Sequence, residues 1–93
     1  MILILGGTTE GRLAVQVADQ SDKPFYYSTR GSEQEVHSTH GVRISGGMNT
    51  SEMVRFCQTN QIHLLIDAAH PFAINLHQTV SEAAQLLSIP ALS

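Results

Sequence analysis

The sequence contains a single cysteine, Cys57, among its 93 residues. One cysteine cannot form an internal disulfide, which argues against a secreted domain held together by disulfides. No apolar stretch approaches the roughly 20 residues that a membrane-spanning helix needs, and the run at residues 1–5 is too short for a signal peptide. These absences predict a cytoplasmic protein that does not bind a membrane.

Basic residues are also scarce, with five Lys and Arg against eight Asp and Glu and a formal net charge of −3. They form no run, so the sequence argues against nucleic-acid binding through bulk positive charge. His37 and His40 lie three residues apart in a polar stretch without a third ligand, and we therefore expect no metal site. A composition of 42% hydrophobic and 14% charged residues is typical of one compact domain.

Short apolar runs recur along the chain and stop at glycine or polar residues. Ile2-Leu3-Ile4-Leu5 is apolar on both faces, as a buried parallel strand is, and it stops at Gly6. Further strands are predicted at residues 25–29, 42–45, 63–67 and 89–92.

Segments with helical periodicity separate these runs. The first is predicted from about Glu10 to Gln20, capped by Thr8 or Thr9. Its predicted inner face consists of Leu13, Ala14, Val17 and Ala18. The other two helices are predicted to follow an N-cap at Thr50 or Ser51 and to begin with Pro71. Strands that alternate with helices predict an α/β fold, a Rossmann-like, mostly parallel sheet of about five strands with helices on both faces.

The glycine-rich loop after the first strand has the position of the dinucleotide fingerprint G-x-G-x-x-G. Gly6 and Gly11 match its first and third glycines, and Thr8 replaces the second. The helix that follows offers free N–H groups and a partial positive charge to a phosphate. The loop therefore predicts a nucleotide phosphate site, and a purely structural turn is the alternative.

The end of the second strand predicts which nicotinamide cofactor is bound. NAD-binding domains often place Asp or Glu there to bind the ribose 2′-OH, but this strand ends in Ser28-Thr29-Arg30. Two hydroxyls and a guanidinium suit a 2′-phosphate instead, which favours NADPH. The alternative is that Arg30 is a solvated loop residue.

A second loop with candidate chemistry follows the fourth strand. Asp67 ends that strand, and the small residues Ala68 and Ala69 leave room for a flat ring. His70 can donate a proton or bind an acidic group, since its pKa lies near neutrality. Structural roles for Asp67 and His70 are the alternative. His63 and His77 are expected to be structural or exposed, and Cys57 to be a buried apolar residue.

Two segments of the chain resemble the precorrin-6A reductase family. Residues 2–12, which read ILILGGTTEGR, resemble the opening of these enzymes, and residues 66–73, IDAAHPFA, resemble their Asp-Ala-Thr-His-Pro-Phe-Ala segment with Ala69 in place of Thr. Ser28-Thr29-Arg30-Gly31, Gly46-Gly47 and Ile89-Pro90 lie where the family has comparable segments. The resemblance extends over nearly the whole chain.

This resemblance implies an NADPH-dependent reductase that reduces a ring double bond of precorrin-6A, or of its cobalt form, on the pathway to vitamin B12. The cofactor-binding residues would be Gly6, Gly7, Thr8, Thr9, Glu10, Gly11, Arg12, Ser28, Thr29, Arg30, Gly46, Ala68 and Ala69. His70 and Asp67 would be catalytic, and His70, Pro71 and Phe72 would contact the substrate. Family members are at least about twice as long, so residues 1–93 are expected to be the NADP-binding N-terminal domain of a two-domain enzyme.

Two other functions are the alternatives to a reductase of this family. A non-catalytic module that binds NADP(H) and signals through a partner needs the phosphate loop and Arg30 but no catalytic group. An extended short-chain epimerase or reductase needs a Tyr followed four residues later by a Lys, and neither Tyr26 nor Tyr27 has one. The His70 loop favours the reductase.

Overall fold

The computed structural model describes residues 1–6, 9–29, 40–45, 47–69 and 72–92, with the backbone alone for residues 9–12, 29 and 45. Its elements, in chain order, are β1 Ile2–Leu5, α1 Thr9–Gln20, β2 Phe25–Thr29, β3 Gly41–Ser45, α2 Thr50–Thr59, β4 Leu64–Asp67, α3 Ile74–Leu87 and β5 Ala91–Leu92. The predicted order of strands and helices is confirmed, and most boundaries agree within one residue.

The strands described form one sheet of five in the order β3-β2-β1-β4-β5, and every pairing is parallel. The predicted α/β fold is thereby confirmed, and the sheet is parallel throughout. The order matches the first five strands of the doubly wound arrangement 3-2-1-4-5-6. In that arrangement β1 and β4 are neighbours at the middle of the sheet, and the connections that follow them run to opposite faces. Leu5 at the end of β1 lies opposite Ser28 of β2 and Asp67 of β4.

Helices cover the two faces of the sheet and form two separate cores. On one face Val15 of α1 packs with Ile4, Phe25 and Tyr27. The other face packs against α2 and α3, and its buried residues are Leu3, Leu5, Met53, Cys57, Ile62, Leu65, Val80, Ala83 and Ala84. Within the described ranges, no helix is both long and apolar enough to cross a membrane.

The inner face of α1 differs from the prediction. Leu13 and Val17 are 55% and 68% exposed, whereas Val15 is only 2% exposed. Ala14 and Ala18 are half-buried against the core, as predicted. Residues 14, 15 and 18 follow the i, i+1, i+4 spacing of one helix face, and this face, centred between Ala14 and Val15, meets the sheet. The prediction of Leu13 and Val17 as inner residues is therefore wrong.

Predictions for all three helix starts are also corrected. The N-cap of α2 is Asn49 rather than Thr50 or Ser51, because the Asn49 side chain accepts the Glu52 N–H at 2.8 Å while the Glu52 carboxylate accepts the Asn49 N–H at 3.0 Å. The third helix begins at Ile74, so Pro71 is not its first residue. Thr9 is the first residue of α1 rather than its cap, and Thr8 lies outside the described residues.

Candidate functional site

The carboxyl ends of β1, β2 and β4 form one continuous rim. The Gly6 N–H donates to the Ser28 carbonyl at 2.8 Å, and the Ala68 N–H donates to the Leu5 carbonyl at 2.8 Å. These bonds extend the pairing of the three strands by one residue beyond β1 and β4. The chain then leaves β1 toward α1 on one face and leaves β4 toward α3 on the other. Ligands of open parallel sheets bind in the crevice that such a divergence opens.

The N-terminus of α1 forms one side of this crevice. The helix begins at Thr9, three residues after Gly6, whose N–H is bonded to the Ser28 carbonyl just beyond the end of β1. The backbone N–H groups of its first turn have no partner within the helix, and the helix dipole adds a partial positive charge there. Because the Gly6 N–H is bonded to Ser28, the phosphate donors of this loop must come from later residues.

Several predicted cofactor residues lie in or beside this loop. Thr9, Glu10, Gly11 and Arg12 belong to the first turn of α1, and their side-chain positions are not described. Gly7, Thr8, Arg30 and Gly46 lie outside the described residues. The roles assigned to all of these residues therefore stay predictions.

The end of β2 supplies the next part of the rim. Ser28 is 6% exposed, and its carbonyl is the acceptor for Gly6. Its contact with a cofactor stays a prediction, but its carbonyl fixes the start of the glycine-rich loop through the bond to Gly6. Thr29 is the last residue of β2 and lies opposite Ser45 of β3.

Asp67, the last residue of β4, forms the other side of the crevice. Its side chain is only 7% exposed. One carboxylate oxygen accepts the Ala69 N–H at 3.3 Å, and the other lies 2.5 Å from Nδ1 of His77. A buried carboxylate is costly unless it is paired and hydrogen-bonded, and both partners here meet that need.

His77 is the residue of this site that sequence reasoning missed. Its side chain is 33% exposed and belongs to the first turns of α3. The helical periodicity already carried a signal, since His77 precedes the buried Val80 and Ala84 by three and seven residues and so shares their inner face. The nine residues between Asp67 and His77 gave no indication that the two side chains meet.

The contact between His77 and Asp67 determines which nitrogen of the His77 imidazole carries a hydrogen. An ionised carboxylate can only accept hydrogen bonds, so Nδ1 of His77 is the donor to Asp67. In the neutral ring Nε2 is then an acceptor, and in the protonated ring it is a donor. The pair can therefore hold or release one proton at Nε2.

The segment between β4 and α3 also carries an exposed aromatic ring. Phe72 is 83% exposed, and its carbonyl accepts the Ile74 N–H at the start of α3. Ala68 and Ala69 are half-buried beside Asp67. The Phe72 ring therefore lies exposed on the segment that leads from Asp67 to α3. His70 and Pro71, predicted as catalytic and substrate-binding residues, lie outside the described residues.

Other candidate groups lie away from this rim. Burial raises the pKa of the Cys57 thiol to about 11, so the thiol stays protonated and unreactive at neutral pH. His40 lies 3.2 Å from Asp22, and its carbonyl accepts the Phe25 N–H at the opposite end of β2. His63 contacts the amino group of Met1 at the amino end of the sheet. The described part of the chain contains no group of three side chains arranged to hold a metal.

Comparison with known proteins gives concordant matches. A family model described as Precorrin-6x reductase CbiJ/CobK matches residues 1–93. A precorrin-6A reductase from Sinorhizobium sp is 33% identical over 95 residues, covering 99% of this chain and 36% of that protein. One from Rhodococcus erythropolis is 33% identical over 91 residues, covering 96% of this chain and 37% of that protein.

A solved structure described as CobK precorrin-6A reductase has a similar fold. It superposes with a TM-score of 0.84 at 22% sequence identity over 97% of this chain and 36% of that chain. At this identity the likeness concerns the fold alone. The chain spans little more than a third of the length of these relatives.

Proposed function

Because the chain belongs to the precorrin-6x reductase CbiJ/CobK family, we propose that it forms the cofactor-binding N-terminal domain of an NADPH-dependent reductase. The substrate of the whole enzyme would be precorrin-6A or its cobalt form, in cobalamin biosynthesis. The observation that carries this proposal is the crevice between β1 and β4, which has a helix N-terminus on one side and the Asp67–His77 pair on the other.

A dinucleotide suits the chemistry of this rim. Its phosphates would be bound by the backbone N–H groups of residues 9–12, where the helix dipole favours negative charge. The adenosine end would lie toward the end of β2, where Thr29 and Arg30 would bind the 2′-phosphate. The nicotinamide would lie over Ala68 and Ala69, whose small side chains leave room for a flat ring.

The chemistry of the reaction would come from the cofactor, which supplies a hydride when bound. The chain would bind the phosphates of the cofactor, orient its nicotinamide ring and hold the charge of the Asp67–His77 pair beside that ring. Phe72, exposed in the segment between β4 and α3, would contact the apolar face of the macrocycle. The polypeptide that makes up the rest of the relatives' length would supply the opposite wall of the substrate site.

Calorimetric titration with NADPH and, separately, with NADH tests the cofactor assignment. We expect tighter binding of NADPH. Arg30→Ala should weaken NADPH binding by about 1–3 kcal/mol, as loss of a charge-assisted hydrogen bond does, and leave NADH binding nearly unchanged. Arg55→Ala is the matched control, because Arg55 is an exposed arginine on α2 and its removal changes the net charge equally.

Two results would contradict the assignment. Equal losses for both cofactors in Arg30→Ala would remove the 2′-phosphate contact from the proposal. Tighter binding of NADH than of NADPH would make NADH the cofactor in place of NADPH.

An absorbance assay then tests the reaction itself. Loss of NADPH absorbance in the presence of the corrin substrate would distinguish a reductase from a module that binds NADP(H) without oxidising it.

A further inference from the structure

The Asp67–His77 pair places a nearly buried carboxylate against a partly exposed imidazole at the carboxyl end of β4. We propose that His77, oriented by Asp67, donates the proton that accompanies hydride transfer. The charge of the pair would then complement the charge of the nicotinamide ring before and after the transfer. This inference rests on the proposed function. It assigns a role to His77, which the family resemblance did not single out.

The location of the pair supports this role. Asp67 pairs with Leu5 at the carboxyl ends of β4 and β1, and its carboxylate contacts His77 of α3, the helix that the chain enters after β4. Solvent reaches about a third of the His77 side chain but almost none of the Asp67 side chain. Because Nδ1 is held against the carboxylate, a proton enters and leaves the pair through the imidazole rather than through Asp67.

The charges of the pair complement those of the cofactor. With a protonated imidazole the pair is neutral, and with a neutral imidazole it carries one negative charge. The reduced nicotinamide ring is neutral, and the oxidised ring is positive. The neutral pair therefore suits the reduced cofactor, and the anionic pair suits the oxidised one.

The proposed step balances in atoms and electrons. One carbon of the substrate double bond takes the hydride, with both electrons, from the reduced nicotinamide. The other carbon takes the proton from Nε2 of His77, whose N–H bond breaks as the new C–H bond forms. The ring gains one positive charge while the pair gains one negative charge, so the total charge of the crevice is unchanged. Water then returns a proton to His77 through its exposed part.

Few other described groups can titrate near this pair. Strand β1 has no titratable side chain, and on α2 and α3 Glu52 and Glu82 are exposed and bonded to Asn49 and Thr50. Cys57 stays protonated at neutral pH. His70, in the loop after β4, and the ionisable side chains of the first turn of α1 lie outside the described part of the site. A variant of His70 is therefore needed as a control.

The test measures the dissociation constants of NADPH and NADP⁺ from about pH 5.5 to about pH 9, the range in which histidine titrates. In the unmodified protein, the preference for NADPH over NADP⁺ should fall on the order of tenfold as His77 loses its proton. His77→Gln keeps an N–H donor for Asp67 but cannot titrate, so its preference should not vary with pH. Asp67→Asn should weaken NADP⁺ binding and leave NADPH binding nearly unchanged.

The control variant and the remaining outcomes make the result decisive. His63→Gln, at the amino end of the sheet, is the matched control and should keep the pH dependence of the unmodified protein. His70→Gln shows whether His70 is the titrating group instead. A dependence that persists in His77→Gln, or that disappears in His70→Gln alone, would overturn the role of His77 and leave NADPH binding intact. Failure of the unmodified protein to bind either cofactor would instead refute the proposed function and, with it, this inference. His77→Asn serves as a second variant, and thermal unfolding confirms that each variant is folded.

Discussion

The two valines of α1 provide a direct test of how this helix packs on the sheet. Val15 is 2% exposed and contacts the core formed with Ile4, Phe25 and Tyr27, whereas Val17 is 68% exposed. Val15→Ala and Val17→Ala make the same chemical change on the same helix. The gain in helix propensity from Val to Ala, up to about 0.6 kcal/mol, is common to both variants. The difference between them therefore isolates the contribution of burial.

The size of that difference follows from the exposure of the two side chains. Removing two buried methyl groups loses about 1.6 kcal/mol of transfer free energy, and the cavity left behind brings the total to about 2–3 kcal/mol. After the propensity gain, Val15→Ala should lower the free energy of unfolding by about 1.5–2.5 kcal/mol. Val17→Ala should leave it unchanged or raise it by a few tenths of a kcal/mol.

Urea denaturation followed by circular dichroism measures both values. A chain of this length has a free energy of unfolding of roughly 5–14 kcal/mol, so a loss of this size shifts the urea midpoint clearly. The slope of the unfolding free energy with urea should stay the same, because neither change alters the surface exposed on unfolding. Equal losses in the two variants, or a larger loss in Val17→Ala, would refute the packing of α1 described here.

Three further predictions concern the second helix, the cysteine and the glycine-rich loop. Asn49→Ala removes the capping box with Glu52 and should lower the unfolding free energy by about 1 kcal/mol, whereas Gln58→Ala on the exposed face of α2 should change it by less than about 0.5 kcal/mol. The folded protein should protect Cys57 from a thiol reagent at neutral pH, with reaction rising only as the pH approaches about 11; rapid labelling of folded protein at neutral pH would disagree with this burial. Gly11→Val should abolish NADPH binding by crowding the start of α1 against the sheet, and unchanged affinity would exclude this loop as the phosphate site.

The order of strands and helices could be predicted because most of the strands differ in apolar pattern from their flanks. Residues 2–5 and 64–66 lie in the two neighbouring central strands of a parallel sheet that is covered on both faces, so their sequences are apolar without interruption. The helices between them carry apolar residues at helical spacing. These signals are local, and they specify the type of each element independently of its partners.

The face of α1 and the cap of α2 could not be predicted in the same way. Leu13 and Val17 are as apolar as Val15, and only the position of the helix on the sheet decides which of them is buried. Asn49, Thr50 and Ser51 are all good N-caps, so composition alone does not choose among them. The cap did leave one signal in the sequence: Glu52 stands three positions after Asn49, as a capping box requires, and this spacing selects Asn49.

The site was predicted in part, for a related reason. Asp67 could be singled out because it ends a buried strand at the carboxyl edge of the sheet. Its contact with His77 depends on where α3 begins, because the first residue of the helix sets which side chains of its first turns face β4. That residue is Ile74 and not Pro71. Long-range side-chain pairs of this kind depend on helix position and register, and no local pattern reports them.

The most direct test of the central claim, that the rim formed by β1, β2 and β4 binds NADPH, is an NMR titration of the ¹⁵N-labelled protein. We expect amide shift changes at residues 6, 9–12, 28–29 and 67–69, and none at the turns around Asp22 and Gln61 at the amino end of the sheet. Shift changes confined to that amino end, or no shift changes with saturating NADPH, would contradict the claim.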